Sequence, residues 1–160
     1  MDPQRSFGFL LKDASRLYVQ RFEQHARAHS LTLAQCRALV HLAKNEGISQ
    51  ARLCRLTDIE PMSLVRILDR MQADGWLERR ADPADRRARR LFLRSKARPL
   101  VEEIWQLADL TRAEAFAGIG KRQRELFVEQ LERIRANLAA LEKPRSAGRK
   151  PARAAARAAS

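Results

Sequence analysis

Residues 59–75 read IEPMSLVRILDRMQADG, and this stretch decides the fold. Pro61 suits the first turn of a helix, where its missing N–H costs no hydrogen bond. Asp74 and Gly75 form a stop signal. Between these signals, apolar residues recur at intervals of three and four, which is the spacing of one helix face. The residues that would face the core are Leu64, Leu68 and Met71. The spacing predicts an amphipathic helix over Pro61–Ala73.

A shorter helix precedes this one closely. Ser49 has a side chain suited to an N-cap, and a short helical segment follows it to about Leu56. Residues 57–60 then form a tight connection to Pro61. Two helices joined by so brief a turn form a helix-turn-helix pattern.

Two further helices are predicted upstream of this pattern. Apolar residues over 7–25 follow helical spacing and form one wide stripe. Thr32 and Gln35 have the spacing of a capping box, which predicts the start of a second helix. Asn45–Gly47 would end that helix.

A β-hairpin is predicted directly after the helix of residues 61–73. The extended runs 76–80 and 90–93 flank a turn rich in Pro and Asp. Residues 82–90 read DPADRRARR and place four arginines around that turn. A hairpin tip is narrow enough to enter a minor groove, where arginine is favoured because the narrow groove concentrates negative potential. The hairpin is therefore predicted to be a wing.

Two more helices are expected over 95–116 and 121–142, separated by a Gly-Ile-Gly break. Apolar residues in the second recur in alternating steps of four and three, which is a coiled-coil-type seam. Such a seam needs a partner, either within the chain or in a second copy. Residues 143–160 contain six basic residues and no acidic ones, a composition typical of a disordered basic tail.

The overall composition points to a polyanionic partner. Lys and Arg number 32 against 19 acidic residues, which gives a net charge of +13. Such a chain is attracted to nucleic acid or to an anionic membrane surface. No apolar run approaches the roughly 20 residues of a membrane-spanning helix, and the N-terminus lacks the pattern of a secretory signal. We expect a soluble, cytoplasmic protein.

The helix of residues 61–73 is the predicted base-reading element. A major groove admits one α-helix, and arginine can donate two hydrogen bonds to the O6 and N7 atoms of guanine. Residues in the first turns reach the bases in this geometry. The side away from the core carries Met62, Ser63, Arg66 and Arg70.

Contacts to the DNA backbone are expected from the start of the preceding helix and from Arg80 and Arg94, which flank the wing. Asp85 would be repelled by phosphates, so we expect it to orient a neighbouring guanidinium in a bidentate pair. The complete set of predicted interface residues is Ser49, Gln50, Pro61, Met62, Ser63, Arg66, Arg70, Arg80, Asp85, Arg86, Arg87 and Arg89.

No catalytic or metal-binding pattern stands out. Cys36 and Cys54 lie eighteen residues apart and form no disulfide framework, so we predict buried small hydrophobes, with redox sensing as the alternative. His25 and His29 have i,i+4 spacing, but no carboxylate at matching spacing supports a metal site. We expect no enzyme activity, cofactor or metal. A winged helix used for protein–protein contact is the other alternative, and it would call for an apolar exposed face.

Four segments resemble the MarR family of regulators: residues 31–36, 59–71, 75–77 and 85–88. The run 63–69 is most similar to the SlyA branch, and the similarity extends over about residues 7–142. The order of recognition helix and Asp-Arg-Arg wing makes the resemblance specific, whereas either feature alone would be weak.

Pattern and resemblance together predict a mainly α fold with a small β-hairpin wing. The winged helix-turn-helix would span 31–94, and residues 1–30 and 95–142 would form a helical dimerisation region. The resemblance implies an obligate homodimer on a pseudo-palindromic operator in double-stranded DNA. It also implies that Arg66 reads a base and that Asp85 and Arg86 have the family's wing roles.

The resemblance further implies a small aromatic carboxylate as effector, bound in a crevice between the two parts of the protein. By position, Arg16, Cys36 and Val40 fall near that crevice. The family often has Trp where Cys36 stands, which changes the crevice. The family commonly has Leu-Thr after the wing, whereas this chain has Leu93-Arg94, which would add a phosphate contact. The peroxide-sensing branch carries a reactive cysteine in the first helix, and this chain has none there.

Overall fold

A computed structural model describes residues 5–85 and 88–142. The described residues up to Ala117 form one compact unit and those from Gly118 form a second. In chain order the elements are helix α1 (Phe7–Ala28), helix α2 (Leu33–Lys44), strand β1 (Ile48–Ser49), helix α3 (Gln50–Thr57), helix α4 (Pro61–Ala73), strand β2 (Leu77–Ala81), strand β3 (Arg89–Leu93), a 3₁₀ turn (Ser95–Ala97), helix α5 (Arg98–Ala115) and helix α6 (Lys121–Glu142). The predicted tail, residues 143–160, lies outside the described residues.

The sheet has three antiparallel strands in the order β1-β3-β2. Strands β2 and β3 form the predicted hairpin, with Leu77 opposite Leu93 and Ala81 opposite Arg89. Strand β1 adds two residues to the other edge of β3, with Ile48 opposite Leu91. The sequence does not predict this strand, because two residues are too few to show an alternating pattern.

Side-chain caps begin three of the helices. Thr32 and Gln35 form the predicted capping box, with Thr32 Oγ1 accepting from Gln35 N at 3.2 Å and Gln35 Oε1 accepting from Thr32 N at 2.9 Å. Ser49 Oγ accepts from Arg52 N at 3.2 Å, which confirms the predicted cap of α3. Glu60, which the sequence analysis did not single out, caps α4 by accepting from the backbone N–H groups of Met62 and Ser63.

The core of the first unit determines which side of α4 faces outward. Leu64, Leu68 and Met71 are fully buried, as predicted from their spacing. They belong to one cluster with leucines of α2, α3 and the sheet, such as Leu39, Leu53 and Leu91. Burial of one leucine or methionine side chain stabilises the fold by about 1.5–3 kcal/mol, so this side of α4 is firmly held inward. The opposite side therefore faces solvent.

Helices α1 and α5 are joined by charged contacts around Glu114. Arg21 donates to both carboxylate oxygens of Glu114, with Nε–Oε2 at 2.7 Å and Nη2–Oε1 at 2.6 Å. His25 Nε2 lies 3.0 Å from Oε2 of the same carboxylate. The hydrogen bonds from Arg21, and then from His25, lower the pKa of Glu114 to about 2. His29 instead contacts Glu103, so the two histidines of the i,i+4 pair meet different glutamates.

Large apolar side chains are exposed on both units. On α1, Phe7, Phe9, Leu10 and Leu17 are more than half exposed. Three residues of the predicted seam of α6, Phe127, Leu138 and Leu141, are also more than half exposed, whereas Leu131 and Ile134 are half-buried. None of the helices in the described ranges is long and apolar enough to cross a membrane.

Candidate nucleic-acid interface

The outward side of α4 presents four of the predicted interface residues. Met62, Ser63, Arg66 and Arg70 are all exposed, and Met62 reaches 63% exposure. Arg70 Nε lies 3.7 Å from Asp74 Oδ2 one turn further along. This side therefore combines two guanidinium groups with a hydroxyl and a thioether, which are donors and apolar groups suited to base edges.

The first turn of α4 is already occupied by an acid. Pro61 is at the start of the helix, as predicted, and lacks an N–H group. The next two N–H groups donate to Glu60, from Met62 N at 3.0 Å and from Ser63 N at 2.8 Å. These bonds, with a smaller contribution from the Arg66 charge, lower the pKa of the Glu60 carboxyl. These two amides of α4 are therefore not open to a phosphate, so DNA contacts of its first turn must come from side chains.

The start of α3 is arranged differently. Ser49 and Gln50 are both half-buried, and Ser49 is also paired with Arg90 in the sheet. The Ser49 hydroxyl is engaged with Arg52 N as the helix cap. The exposed residues at this end of α3 are Ala51 and Arg52. The Ser49 hydroxyl would therefore have to contact a phosphate while it also caps α3.

An ion pair that the sequence did not reveal joins the turn of the wing to strand β3. Asp82 Oδ2 accepts from Arg90 Nε at 2.8 Å, and Asp82 Oδ1 accepts from Ala84 N at 2.9 Å. The Arg90 guanidinium, followed by the Ala84 N–H, lowers the pKa of Asp82. Arg90 also donates to Gly47 O at 3.4 Å. The Asp-Pro start of the turn was a usable signal, since Asp side chains in turns bond to the backbone two residues on.

Arg80, Asp85 and Arg89 are exposed on the strands and turn of the wing. Backbone bonds from Asp82 N to Ala88 O and from Ala88 N to Asp85 O close the turn. Arg86 and Arg87, two of the predicted contact residues, lie outside the described residues. Thus the structure places the described wing residues on the exposed hairpin but does not describe its two central arginines.

A second missed contact holds the wing against α4. Arg79 Nη2 donates to Asp69 Oδ1 at 2.7 Å, and Arg79 Nη1 donates to Gln72 Oε1 at 2.6 Å. Asp69 and Gln72 are on α4 and Arg79 is on β2. One guanidinium therefore fixes the hairpin to the helix that carries Arg66.

Comparison with known proteins identifies the family. A sequence model of the MarR family matches residues 29–88. The solved structure of the transcriptional regulator PA3341 is 31% identical in sequence and superposes with a TM-score of 0.71. The match covers 84% of this chain and 99% of the PA3341 chain. The chain belongs to the MarR family of transcriptional regulators. This is a DNA-binding family with a winged-helix fold, and the predicted fold class is confirmed.

Two further solved structures are similar at 27% identity. One is a MarR-family transcriptional regulator from Silicibacter pomeroyi, which covers 82% of this chain and 88% of its own, with a TM-score of 0.69. The other is BpsR of Bordetella bronchiseptica, whose DNA binding is regulated by 6-hydroxynicotinic acid. It covers 84% of this chain and 96% of its own, with a TM-score of 0.71.

The three residues predicted near an effector crevice differ in accessibility in this MarR-family protein. Arg16 is exposed and pairs with Asp13 on its own helix at 3.0 Å. Val40 is half-buried against the core, and Cys36 is only 2% exposed. They therefore do not form one open surface in this conformation.

The predicted burial of the cysteines is confirmed for Cys36 and holds only in part for Cys54. Cys36 is buried, and burial raises the pKa of its thiol to about 11, with a further contribution from the Glu103 charge. Cys54 is half-buried and donates to Ile59 O at 3.0 Å. A thiol with a raised pKa is a poor nucleophile at neutral pH, which favours the packing role of Cys36 over redox sensing.

Proposed function

We propose that this MarR-family protein is a sequence-specific transcriptional regulator that binds a pseudo-palindromic operator in double-stranded DNA as a homodimer. The observation that carries the proposal is the arrangement of α4. Its apolar side is fully buried, and its outward side presents Arg66 and Arg70 beside an arginine-rich wing. A protein–protein winged helix would be expected to expose an apolar face there instead.

Each predicted residue has a role in this proposal. Arg66 reads a guanine, Met62 contacts a thymine methyl and Ser63 bonds to a base edge. Pro61 sets the start of the helix, Arg70 donates to a base edge beside Arg66, and Ser49, Gln50 and Arg80 contact the backbone. Arg86, Arg87 and Arg89 would reach the minor groove, with Asp85 orienting a guanidinium. No catalytic role is part of the proposal.

The homodimer is supported by exposed apolar surface. The exposed apolar side chains in the single chain include Phe7, Phe9 and Leu10 of α1 and Phe127, Leu138 and Leu141 of α6. Removing such surface from water stabilises an interface by about 25 cal/mol per Å² of apolar area. Residues 1–30 and 95–142 would form the dimerisation region, and 31–94 the DNA-binding domain. The two-fold axis would then set the half-sites about one helical turn, roughly 10 base pairs, apart.

We further propose a small aromatic carboxylate as effector. The support is the similarity to BpsR, whose DNA binding responds to 6-hydroxynicotinic acid. Cys36 would have to become accessible for Arg16, Cys36 and Val40 to contact such a molecule. The ligand would then act by favouring dimers whose recognition helices are wrongly spaced for DNA. The SlyA-like placement is a finer proposal that depends on residues 63–69.

Mapping of bound sites across the genome, followed by binding measurements on the recovered duplex, tests the proposal. We expect one enriched, pseudo-palindromic sequence, bound by two copies of the chain. Affinity should fall steeply as salt rises, because each phosphate contact releases counterions. Binding that ignores salt, or an absence of enriched sites, would refute the assignment.

A further inference from the structure

An open groove lies at the base of the wing, where β2 and β3 meet the 3₁₀ turn that precedes α5. Its volume is about 490 Å³. We call it the wing-base groove, and it is lined by Gly75, Glu78, Arg80, Leu93, Arg94, Ser95 and Lys96. Arg80 and Arg94 are the two arginines expected from the sequence to contact the DNA backbone, whereas Glu78 and Lys96 have no role in that expectation.

A single carboxylate bridges two guanidinium groups in the groove. Arg80 Nε donates to Glu78 Oε1 at 2.6 Å, and Arg94 Nε lies 3.5 Å from Glu78 Oε2. The guanidinium of Arg80 also stacks on the Phe92 ring, 4.3 Å from its centroid. The Arg80 and Arg94 side chains remain 62% and 57% exposed, so both keep donor groups open to solvent. The two arginines thus lie on either side of one carboxylate, that of Glu78.

A lysine completes the rim of the groove. Lys96 Nζ donates to Asp74 O, the carbonyl at the end of α4, at 2.9 Å. Its aliphatic chain passes Gly75, where an added Cβ would lie 3.8 Å from Lys96 Cδ. Three cations and one carboxylate leave the lining with a formal charge of two positive units. A phosphate offers these guanidinium groups more acceptor oxygens than a carboxylate does, and arginine matches its geometry in bidentate fashion.

We propose that the wing-base groove binds a phosphate group of the DNA backbone, and that Glu78 competes with this phosphate for Arg80 and Arg94. The proposal rests on the DNA-binding function above, in which Arg80 and Arg94 contact the backbone, and it adds the competing role of Glu78. Arg94 would release Glu78 first, because its 3.5 Å contact is longer than the 2.6 Å hydrogen bond of Arg80. Glu78 would thereby restrain binding to DNA of any sequence.

The test is the variant Glu78→Gln, which keeps the shape of the side chain and removes its charge. Affinity for a duplex of arbitrary sequence, about 30 base pairs long, should rise roughly 3- to 10-fold at low salt. The plot of log K against log salt concentration should become steeper by up to about 0.9, the value of one phosphate contact. The matched control is Glu46→Gln, which removes an exposed acid from the same unit. Equal gains in both variants would overturn the proposal.

A second variant ties the gain to the groove. Adding Arg94→Gln to Glu78→Gln should abolish most of the increase, because the released guanidinium is then missing. A gain that survives in the double variant would contradict the proposal. Thermal melts of all variants check that the fold is kept, since these side chains are at the surface and make few core contacts.

Two further outcomes separate the possible failures. If wild-type protein binds duplex DNA with the expected salt dependence while Glu78→Gln changes nothing, the groove proposal fails and the regulator proposal stands. If wild-type protein does not bind duplex DNA, both fail.

Inorganic phosphate distinguishes the two sources of the anion. Shifts of the Arg80 and Arg94 side-chain NMR signals with phosphate but not with duplex DNA would overturn the assignment to the DNA backbone.

Discussion

Asp82 and Arg90 face each other at the turn end of the wing, with Asp82 Oδ2 and Arg90 Nε 2.8 Å apart. The same carboxylate accepts from Ala84 N, so one side chain joins the strand pair to the turn. Arg90 reaches on to Gly47 O, beside the short strand β1. The orientation of the arginine-rich turn therefore depends on an acid that itself makes no contact with DNA in our proposal.

Replacing Asp82 with Asn should loosen the wing tip. The ion pair to Arg90 would be lost, and we expect a several-fold loss of DNA affinity together with faster amide exchange at Ala84 and Ala88. Asp109→Asn on α5, which breaks the exposed pair with Arg112, serves as the control and should leave affinity unchanged. Unchanged exchange in the turn of Asp82→Asn would argue against the orienting role.

Replacing Arg66 with Ala should affect one base position of the operator. The expected loss is about 1–3 kcal/mol of binding free energy on the preferred duplex, with relaxed preference at that position. Binding to a panel of duplexes with single base changes measures this. Arg112→Ala on α5 is the control for loss of an exposed arginine. A uniform loss across the whole panel would mean that Arg66 contacts only the backbone.

Substitutions on the two sides of α4 should separate folding from binding. Leu68 is fully buried, so Leu68→Ala should lower the free energy of unfolding by about 2–5 kcal/mol. Met62→Ala, at an exposed position, should change stability by no more than about 0.5 kcal/mol while weakening DNA binding. Urea unfolding and DNA titration of both variants provide the comparison. A large loss of stability in Met62→Ala would contradict the assigned orientation of α4.

Glu114 should make the stability of the α1–α5 contact depend on acid pH. Its pKa is lowered from its usual 4.5 to about 2, first by the hydrogen bond from Arg21 and then by that from His25. Because the folded pKa is the lower one, the stabilisation is complete above about pH 4.5 and is lost as pH falls towards about 2.

Thermal melts of Glu114→Gln between about pH 6 and pH 3 measure this effect. The variant should melt below wild type at the upper end of the range, and the difference should shrink as the solution becomes more acidic. Glu102→Gln, an exposed residue of the same helix, is the control. A difference in Tm that stays constant with pH would exclude the ionised carboxylate as its cause.

Disrupting the exposed apolar side of α1 should shift the protein towards the monomer. Leu10→Asp places a charge among the exposed side chains that the proposed dimer would bury. Sedimentation velocity should then show a smaller species, and operator affinity should fall with it. Gln20→Asp, at an exposed polar position of the same helix, should remain dimeric. A Leu10→Asp protein that stays dimeric would exclude this part of α1 from the interface.

Local signals accounted for much of the fold. The bounds of α4 and the capping box of Thr32 and Gln35 depend on residues within one or two turns of each other, and both were predictable. The buried side of α4 followed from its periodicity, and the predicted base-reading residues Arg66 and Arg70 consequently face solvent. Helix periodicity and helix caps involve residues close together in sequence, and the geometry of the helical backbone fixes their spacing.

Contacts between distant segments were not predictable in the same way. Strand β1 exists because Ile48 and Ser49 pair with β3, more than forty residues later. The Arg21–Glu114 contact and the Arg79–Asp69 contact each join different elements, and nothing in the spacing of charges marks which arginine meets which acid. Glu60 was missed for another reason, since glutamate is not among the preferred N-cap residues.

The carboxylate that begins α4 has a consequence for how the helix would approach a duplex. Glu60 places a full negative charge at the leading tip of α4 and satisfies the two amides there. Phosphates on either strand would repel this tip while attracting the guanidinium groups further along the side. Repulsion at Glu60 and attraction at the arginines would together favour a position of the helix between the two backbones.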